Sequence, residues 1–156
     1  MRANCDCHVS LCSLLQDKVA VVTKLKDTCA DDADSVTIAE IAAHGAACCE
    51  PPHPVTAALF CEAMSWLAGY DGSDKIASAG GIAVIVQLLV RLPDEVEVVR
   101  QGCWALYRLA GNGCASIKSL ILAQPDIIAL LRAASTRFRA WGKYDYAALA
   151  LKNLGV

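Results

Sequence analysis

Three parts of the chain repeat one another at intervals of 42 to 45 residues, and this repeat limits the possible folds more than any other feature. Two landmarks carry the repeat. One is a leucine near the end of the similar segments FCEAMSWLAG, GCWALYRLAG and AALALKNLG, at Leu67, Leu109 and Leu154. The other is the start of an apolar segment further upstream, at Ile38, Ile82 and Asp126. The chain is therefore predicted to consist of similar units that bury their apolar faces by stacking on one another.

Each unit has the apolar pattern of helices. In the middle unit, apolar residues from Ile82 to Leu89 recur at steps of three and four residues, which places them on one helix face. Pro93 is predicted to end this helix. Asp94 is predicted to cap the next helix, in a capping box with Glu97. No segment alternates with a period of two between hairpin turns, so the predicted fold class is all-α.

Residues 80–111, GGIAVIVQLLVRLPDEVEVVRQGCWALYRLAG, resemble an armadillo repeat. The shared features are paired glycines at a sharp turn, an apolar second helix, a short connector and a third helix ending in a motif like A-L-x-N-L-A. The paired glycines favour armadillo repeats over HEAT repeats, the nearest alternative. The resemblance implies a right-handed α-solenoid of about three armadillo-like repeats, at about 35–72, 73–114 and 115–156. Residues 1–34 would then form an N-terminal capping helix and an acidic loop, or the end of a degenerate repeat.

The resemblance also implies that the third helices line a concave groove, which holds extended peptides or partner helices. In peptide-binding armadillo proteins the third helix carries W-A-L-x-N, whose Trp forms side-chain pockets and whose Asn binds the peptide backbone. In the middle repeat Trp104 matches the Trp, but Arg108 replaces the Asn. In the last repeat Asn153 matches the Asn, but Leu149 replaces the Trp. No repeat carries both residues and Arg108 would repel a cation, so a basic nuclear-import peptide is not the expected ligand.

The same register predicts which side chains face the groove. Residues at the Trp position, three before it and four after it share one stripe of the third helix. Aromatic and Arg side chains together are typical of interaction hot spots. The alternative for Trp66 and Trp104 is that they are large core residues. The predicted groove residues are Leu59, Glu62 and Trp66; Gln101, Trp104 and Arg108; and Tyr146, Leu149 and Asn153.

The apolar content of the chain indicates a partner. Of the 156 residues, 56% are apolar and 19% are charged, which excludes extended disorder. The longest uncharged apolar run, residues 76–90, is shorter than the about 20 residues of a membrane-spanning helix, so no transmembrane segment is expected. The chain is expected to have more apolar surface than a fold of this length can cover. This excess predicts a protein partner, either in a complex or within a longer solenoid.

Charge is distributed unevenly along the chain. The net charge of −2 argues against specific nucleic-acid binding. Residues 1–75 carry a net charge of −6, whereas residues 76–156 carry +4. Four cations near the last turn form a basic patch, which is either an ordinary solvated face or a surface for an acidic protein, phosphate groups or anionic lipid. The members of this basic patch are Arg132, Arg137, Arg139 and Lys143.

The nine cysteines favour a reducing compartment. Their number is odd and most lie in apolar helical patterns, where a thiol acts as a small core residue. The cytoplasm or the nucleus fits this usage best, and an organelle stays open. The candidate metal ligands are Cys5, Cys7, His8 and Cys12, but their spacing fits no common zinc finger, so neither a metal nor another cofactor is expected.

The motifs of common enzyme classes are missing. Gly-Asn-Gly at residues 111–113 follows a helix, whereas a phosphate-binding loop follows a strand, and no G-x-S-x-G motif occurs. The sequence therefore predicts a non-catalytic protein–protein interaction module, whose groove takes a peptide or a partner helix. The alternative is a structural accessory subunit of a larger multiprotein complex, including an organellar or membrane complex. Such a subunit would make contact through its C-terminal end, which lacks a polar cap, and its basic C-terminal half.

Overall fold

The computed structural model describes residues 52–69, 72–138 and 144–156. Within these ranges the chain forms seven helices and no strand, which confirms the all-α class. None of these helices is long and apolar enough to cross a membrane. The helices are α1 (Pro54–Ala68), α2 (Ser73–Ser78), α3 (Gly81–Arg91), α4 (Val96–Asn112), α5 (Ala115–Leu122), α6 (Ile127–Phe138) and α7 (Tyr146–Leu154).

Proline and glycine determine three helix boundaries. α1 begins at Pro54, whose fixed φ and missing N–H suit the first helical turn. Gly80 has a φ of 76°, a left-handed conformation that lets the chain turn sharply between α2 and α3. α3 ends at Arg91, two residues before Pro93.

The predicted capping box at the start of α4 is wrong. α4 begins at Val96, so Glu95 rather than Asp94 is the N-cap residue, and no side chain caps the helix. The Asp94 carboxylate instead accepts a hydrogen bond from the Arg137 guanidinium of α6. A long-range ion pair between the α3–α4 connector and the following unit therefore takes the place of the local cap.

Helices that are three positions apart in chain order pack side by side. α1 packs on α4 and α4 packs on α7, while α2 pairs with α5 and α3 with α6. α4 is central, because α1, α3, α5, α6 and α7 all contact it. It therefore buries residues on more than one face: Val98, Val99, Gln101, Gly102, Cys103, Ala105, Leu106, Leu109 and Ala110.

One hydrophobic cluster extends through all seven helices. Where α3 meets α4, a Cβ at Gly102 would lie 2.7 Å from Leu89 Cδ2, so the missing side chain lets Leu89 pack directly on the α4 backbone. The buried members that connect the seven helices include Met64, Ile76, Ile85, Leu106, Ile117, Leu131 and Ala150.

Some predicted features lie outside the described residues. They are the N-terminal helix and acidic loop at 1–34, the start of the first repeat, the basic-patch residues Arg139 and Lys143, and the metal candidates Cys5, Cys7, His8 and Cys12.

Substitution of Leu106 tests the central position of α4. Its side chain is fully buried, so we expect Leu106→Ala to lower the free energy of unfolding by about 2–5 kcal/mol through lost contacts and a cavity. Leu120→Ala on α5 makes the same change where the side chain is 46% exposed, and should cost less than about 1 kcal/mol. Urea unfolding followed by circular dichroism measures both values. Equal losses for the two variants would contradict the central role of α4.

Candidate partner-binding surface

The nine predicted groove residues lie on three helices that pack side by side, α1, α4 and α7. Eight of these side chains are partly buried and the ninth, Gln101, is buried. Trp66 and Trp104 are therefore neither wholly core residues nor fully exposed. We refer to the nine residues together as the α1–α4–α7 surface.

An aromatic row, consisting of Trp66, Trp104 and Tyr146, crosses this surface. The two Trp rings meet edge to face, with centroids 5.4 Å apart and planes at 76°. Trp104 stacks on Tyr146, with centroids 5.8 Å apart and planes at 26°. Tyr107 and Tyr144 each lie 6.1 Å from the Tyr146 ring. These separations are within the favourable range for aromatic pairs, so one ring from each helix helps to hold the three helices together.

Arg108 and Asn153 occupy equivalent positions in α4 and α7, and each lies against a glycine of the preceding helix layer. A Cβ at Gly69 would lie 1.7 Å from Arg108 Nη2, and a Cβ at Gly111 would lie 2.8 Å from Asn153 Nδ2. The two glycines are 42 residues apart in the sequence. The same close approach, in which a polar side chain lies over a glycine backbone, therefore recurs in successive units.

Polar side chains from the following unit also occupy the C-terminal ends of α1 and α4. Asn153 Nδ2 donates a hydrogen bond to the Tyr107 carbonyl oxygen at 3.1 Å, and Asn112 Nδ2 donates to the Ala68 carbonyl oxygen at 3.1 Å. Arg108 lies beside the C-terminal end of α1, where the helix dipole favours a cation. One of the two N–H donors of Asn153 is thus used within the chain.

Arg108 places a positive charge beside the aromatic row. Its Cζ lies 5.9 Å from the centroid of the Trp104 ring, within the range of a cation–π interaction. The guanidinium makes no hydrogen bond or ion pair with the residues that the structure describes. Within the described part of the chain, the N–H donors of Arg108 therefore have no acceptor.

An acidic cleft of about 330 Å³ lies at the N-terminal ends of α1 and α4. Three carboxylates, those of Glu62, Glu95 and Glu97, line it beside aliphatic side chains. Arg100 Nη2 donates to Glu97 Oε1 at 2.5 Å and Arg100 Nε donates to Glu97 Oε2 at 3.0 Å. These bonds lower the pKa of Glu97 and raise the pKa of Arg100. Arg100 thus pairs with Glu97, the carboxylate of the cleft that also binds Gln101.

Gln101 lies in the wall of the acidic cleft with one polar atom unpaired. Its side chain is 5% exposed, and its Nε2 donates to Glu97 Oε1 at 2.8 Å. This bond sets the orientation of the amide, because the opposite orientation would bring the amide oxygen against a carboxylate. The buried Oε1 then has no donor among the described residues, and the buried Trp66 Nε1–H has no acceptor among them.

The described part of the basic patch is partly neutralised. Arg137 pairs with Asp94, and its Cζ also lies 5.3 Å from the centroid of the Phe138 ring. Arg132 is exposed on the same helix. The charge of Arg137 therefore joins α6 to the α3–α4 connector and adds little to an anion-binding surface.

Cysteines of two kinds occur in the described part of the chain. Cys61 and Cys103 are buried, as predicted for core residues, whereas Cys114 is exposed at the N-cap of α5. Burial, and to a lesser degree the charge of Asp145, raise the pKa of Cys103 to about 12. The Ser116 hydroxyl, 2.7 Å from Cys114 Sγ, lowers the pKa of Cys114. Within the same ranges, no group of three His, Cys, Asp or Glu side chains could hold a metal ion.

Sequence reasoning missed the two glycines of close approach and the acidic cleft. Gly69 and Gly111 both end the LAG segment shared by the first two units, so their spacing was an available signal. The cleft had no local signal, because Glu62 meets Glu95 and Glu97 only after α1 packs on α4.

Comparisons with protein-family models, with curated proteins and with solved structures found no significant match. Function is therefore inferred from the geometry of the α1–α4–α7 surface.

Native-state alkylation distinguishes the exposed cysteine from the buried ones. We expect iodoacetamide to label Cys114 before Cys61 and Cys103, because the thiolate is the reactive form and the pKa of exposed Cys114 is lowered. The thiolate fraction of Cys114 rises as the pH increases through this pKa, so labelling should begin at a lower pH than for an ordinary exposed thiol. Peptide mapping by mass spectrometry measures each site, with the unfolded chain as the control. Equal rates for Cys103 and Cys114 in the folded chain would contradict these environments.

Proposed function

We propose that the described helices form two consecutive armadillo-like repeats, α2–α4 and α5–α7, preceded by the third helix of another repeat, α1. The pairing of helices supports this interpretation. α1, α4 and α7 pack in one row, α2 pairs with α5, and α3 pairs with α6. Stacking of three-helix units in a right-handed solenoid places first helices on first helices and third helices on third helices in this way.

The function that this geometry supports best is a non-catalytic protein–protein interaction module. Its α1–α4–α7 surface would be a groove that binds a peptide or a helix of a partner. The aromatic row is the observation that carries the proposal, because Trp66, Trp104 and Tyr146 are partly exposed on three adjacent helices. Trp, Tyr and Arg side chains are the residues that most often dominate binding energy at interfaces, and Arg108 lies over the middle ring.

The contacts within the aromatic row also favour binding. Each ring packs on its neighbour at 5.4 or 5.8 Å, so the rings are already positioned before a partner arrives. A preorganised surface loses less side-chain entropy on binding than a mobile one. Rigid rings on stacked helices therefore suit a partner segment that becomes ordered when it binds.

The outer face of α7 favours a second candidate function, an accessory subunit of a larger complex. Cys103 and Leu106 of α4 are buried, whereas the equivalent residues of α7 are exposed Ala148 and partly buried Leu151. Val156, just after α7, is 48% exposed. A further repeat or a partner subunit would cover this face as α7 covers α4.

Substitution of Trp104 tests the groove. Peptides are first selected with the full chain from a random library displayed on phage, and their Kd values are measured by fluorescence polarisation. Because an aromatic hot-spot residue contributes about 2 kcal/mol, Trp104→Leu should weaken binding by about 10- to 30-fold. Leu149 stands at the equivalent position of α7, so leucine is compatible with this helix position.

The matched control is Ala148→Asp on the outer face of α7. This variant should bind the selected peptides like the wild type, and thermal unfolding should show that both variants are folded. If Ala148→Asp abolishes binding while Trp104→Leu has no effect, the second candidate function is supported instead. Failure to select any peptide would contradict the groove.

A further inference from the structure

The α1–α4–α7 surface carries opposite charges at two points along α4. The acidic cleft lies beside Gln101, and Arg108 follows seven residues later on the same stripe of the helix. With a rise of 1.5 Å per residue, these two points are about 10 Å apart along the helix axis. The aromatic residue Trp104 lies between them.

The acidic cleft has the chemistry of a site for a Lys or Arg side chain. Aliphatic groups such as Val55, Leu59 and Val98 can pack on the methylene stem, while carboxylates accept hydrogen bonds from the cationic head. Gln101 Oε1 adds a buried acceptor that has no donor within the described chain. A buried acceptor without a donor is destabilising, and a donor from a ligand would satisfy it.

Arg108 has the chemistry of a site for a carboxylate. It is partly buried and lies over Trp104 without an acidic partner among the described residues. The guanidinium presents parallel N–H donors, which match the two oxygens of a carboxylate. Trp104 holds the guanidinium from one side, so an anionic group can approach from the exposed side.

We propose that the groove recognises an extended protein segment that carries a basic side chain in the acidic cleft and an acidic side chain on Arg108. A segment in the polyproline II conformation rises about 3.1 Å per residue with three residues per turn, so side chains three positions apart share one face and lie about 9 Å apart. This inference rests on the proposed function of the groove. A segment with two basic residues is disfavoured by Arg108, and a segment with two acidic residues is disfavoured by the cleft.

The test uses synthetic peptides that share one sequence selected from the random library. In each peptide, the two positions that are three residues apart carry one of five pairs. These pairs are Lys then Asp, Asp then Lys, two Lys, two Asp, and the neutral pair Gln and Asn. One order of the mixed pair should bind the full chain about tenfold more tightly than the other pairs at low salt, and the difference should shrink at high salt.

Charge reversal at Arg108 sharpens the test. Arg108→Glu should reverse the preference, so that the peptide with two Lys binds more tightly than the mixed pair. Arg132→Glu on α6 makes the same charge change at an exposed site outside the surface, and should keep the wild-type preference. Reversal in both variants, or in neither, would overturn the proposed contact.

Removal of the unpaired amide oxygen tests the cleft. Gln101→Met keeps a similar volume without the acceptor, and should weaken the peptide that contains Lys by about threefold. A peptide with norleucine in place of that Lys should bind the wild type and Gln101→Met equally well. Equal losses for both peptides would show that Gln101 acts only through packing.

Two negative outcomes remain distinguishable. Peptides that depend on Trp104 but show no preference for a mixed charge pair would overturn this inference and leave the proposed function intact. If no peptide binds the wild-type chain, both proposals fail.

Discussion

The packing of α4 between α1 and α7 is the interaction on which the rest of the described structure depends. α4 is the longest of the seven described helices, and its apolar residues are spread over several faces, because five other helices contact it. Gly102 lets Leu89 of α3 pack directly on the α4 backbone on one of these faces. The contacts of α4 with α1 and α7 therefore both build the core and align these three helices. The aromatic row follows from this alignment, since each ring comes from a different helix.

The helix ends that could be predicted are those set by residues that restrict or extend their own backbone conformation. Pro54, Gly80 and Pro93 restrict or extend the φ values available to them, so their effects on helix ends could be predicted without knowledge of tertiary contacts. Asp94 shows the opposite case. Its local pattern predicts an N-cap, but Arg137, 43 residues later in the sequence, competes for the same carboxylate and forms the ion pair. A capping hydrogen bond contributes only about 1 kcal/mol, so a tertiary contact can displace it.

The candidate surface was predictable in register but not in chemistry. Helical spacing placed the nine residues on one stripe of each of three helices, and the structure brings those helices together as α1, α4 and α7. The roles of individual side chains depend on what the neighbouring helix offers. Asn153 and Arg108 both lie over a glycine, yet Asn153 donates one N–H to the Tyr107 carbonyl, whereas Arg108 makes no hydrogen bond with the described residues. The change from Asn to Arg thus preserves a packing position and changes what that position can bind.

In the proposed groove, two kinds of groups would contribute to recognition in different ways. The aromatic rings satisfy one another, so they are stable without a partner and supply area for any apolar segment. Gln101 Oε1 and Trp66 Nε1 are buried, and neither has a hydrogen-bond partner in the described part of the chain. In the proposed groove the rings would therefore supply affinity, and the unpaired polar groups would supply selectivity. A polar atom that is satisfied only in the complex discriminates against segments without the matching donor or acceptor more strongly than additional apolar area can.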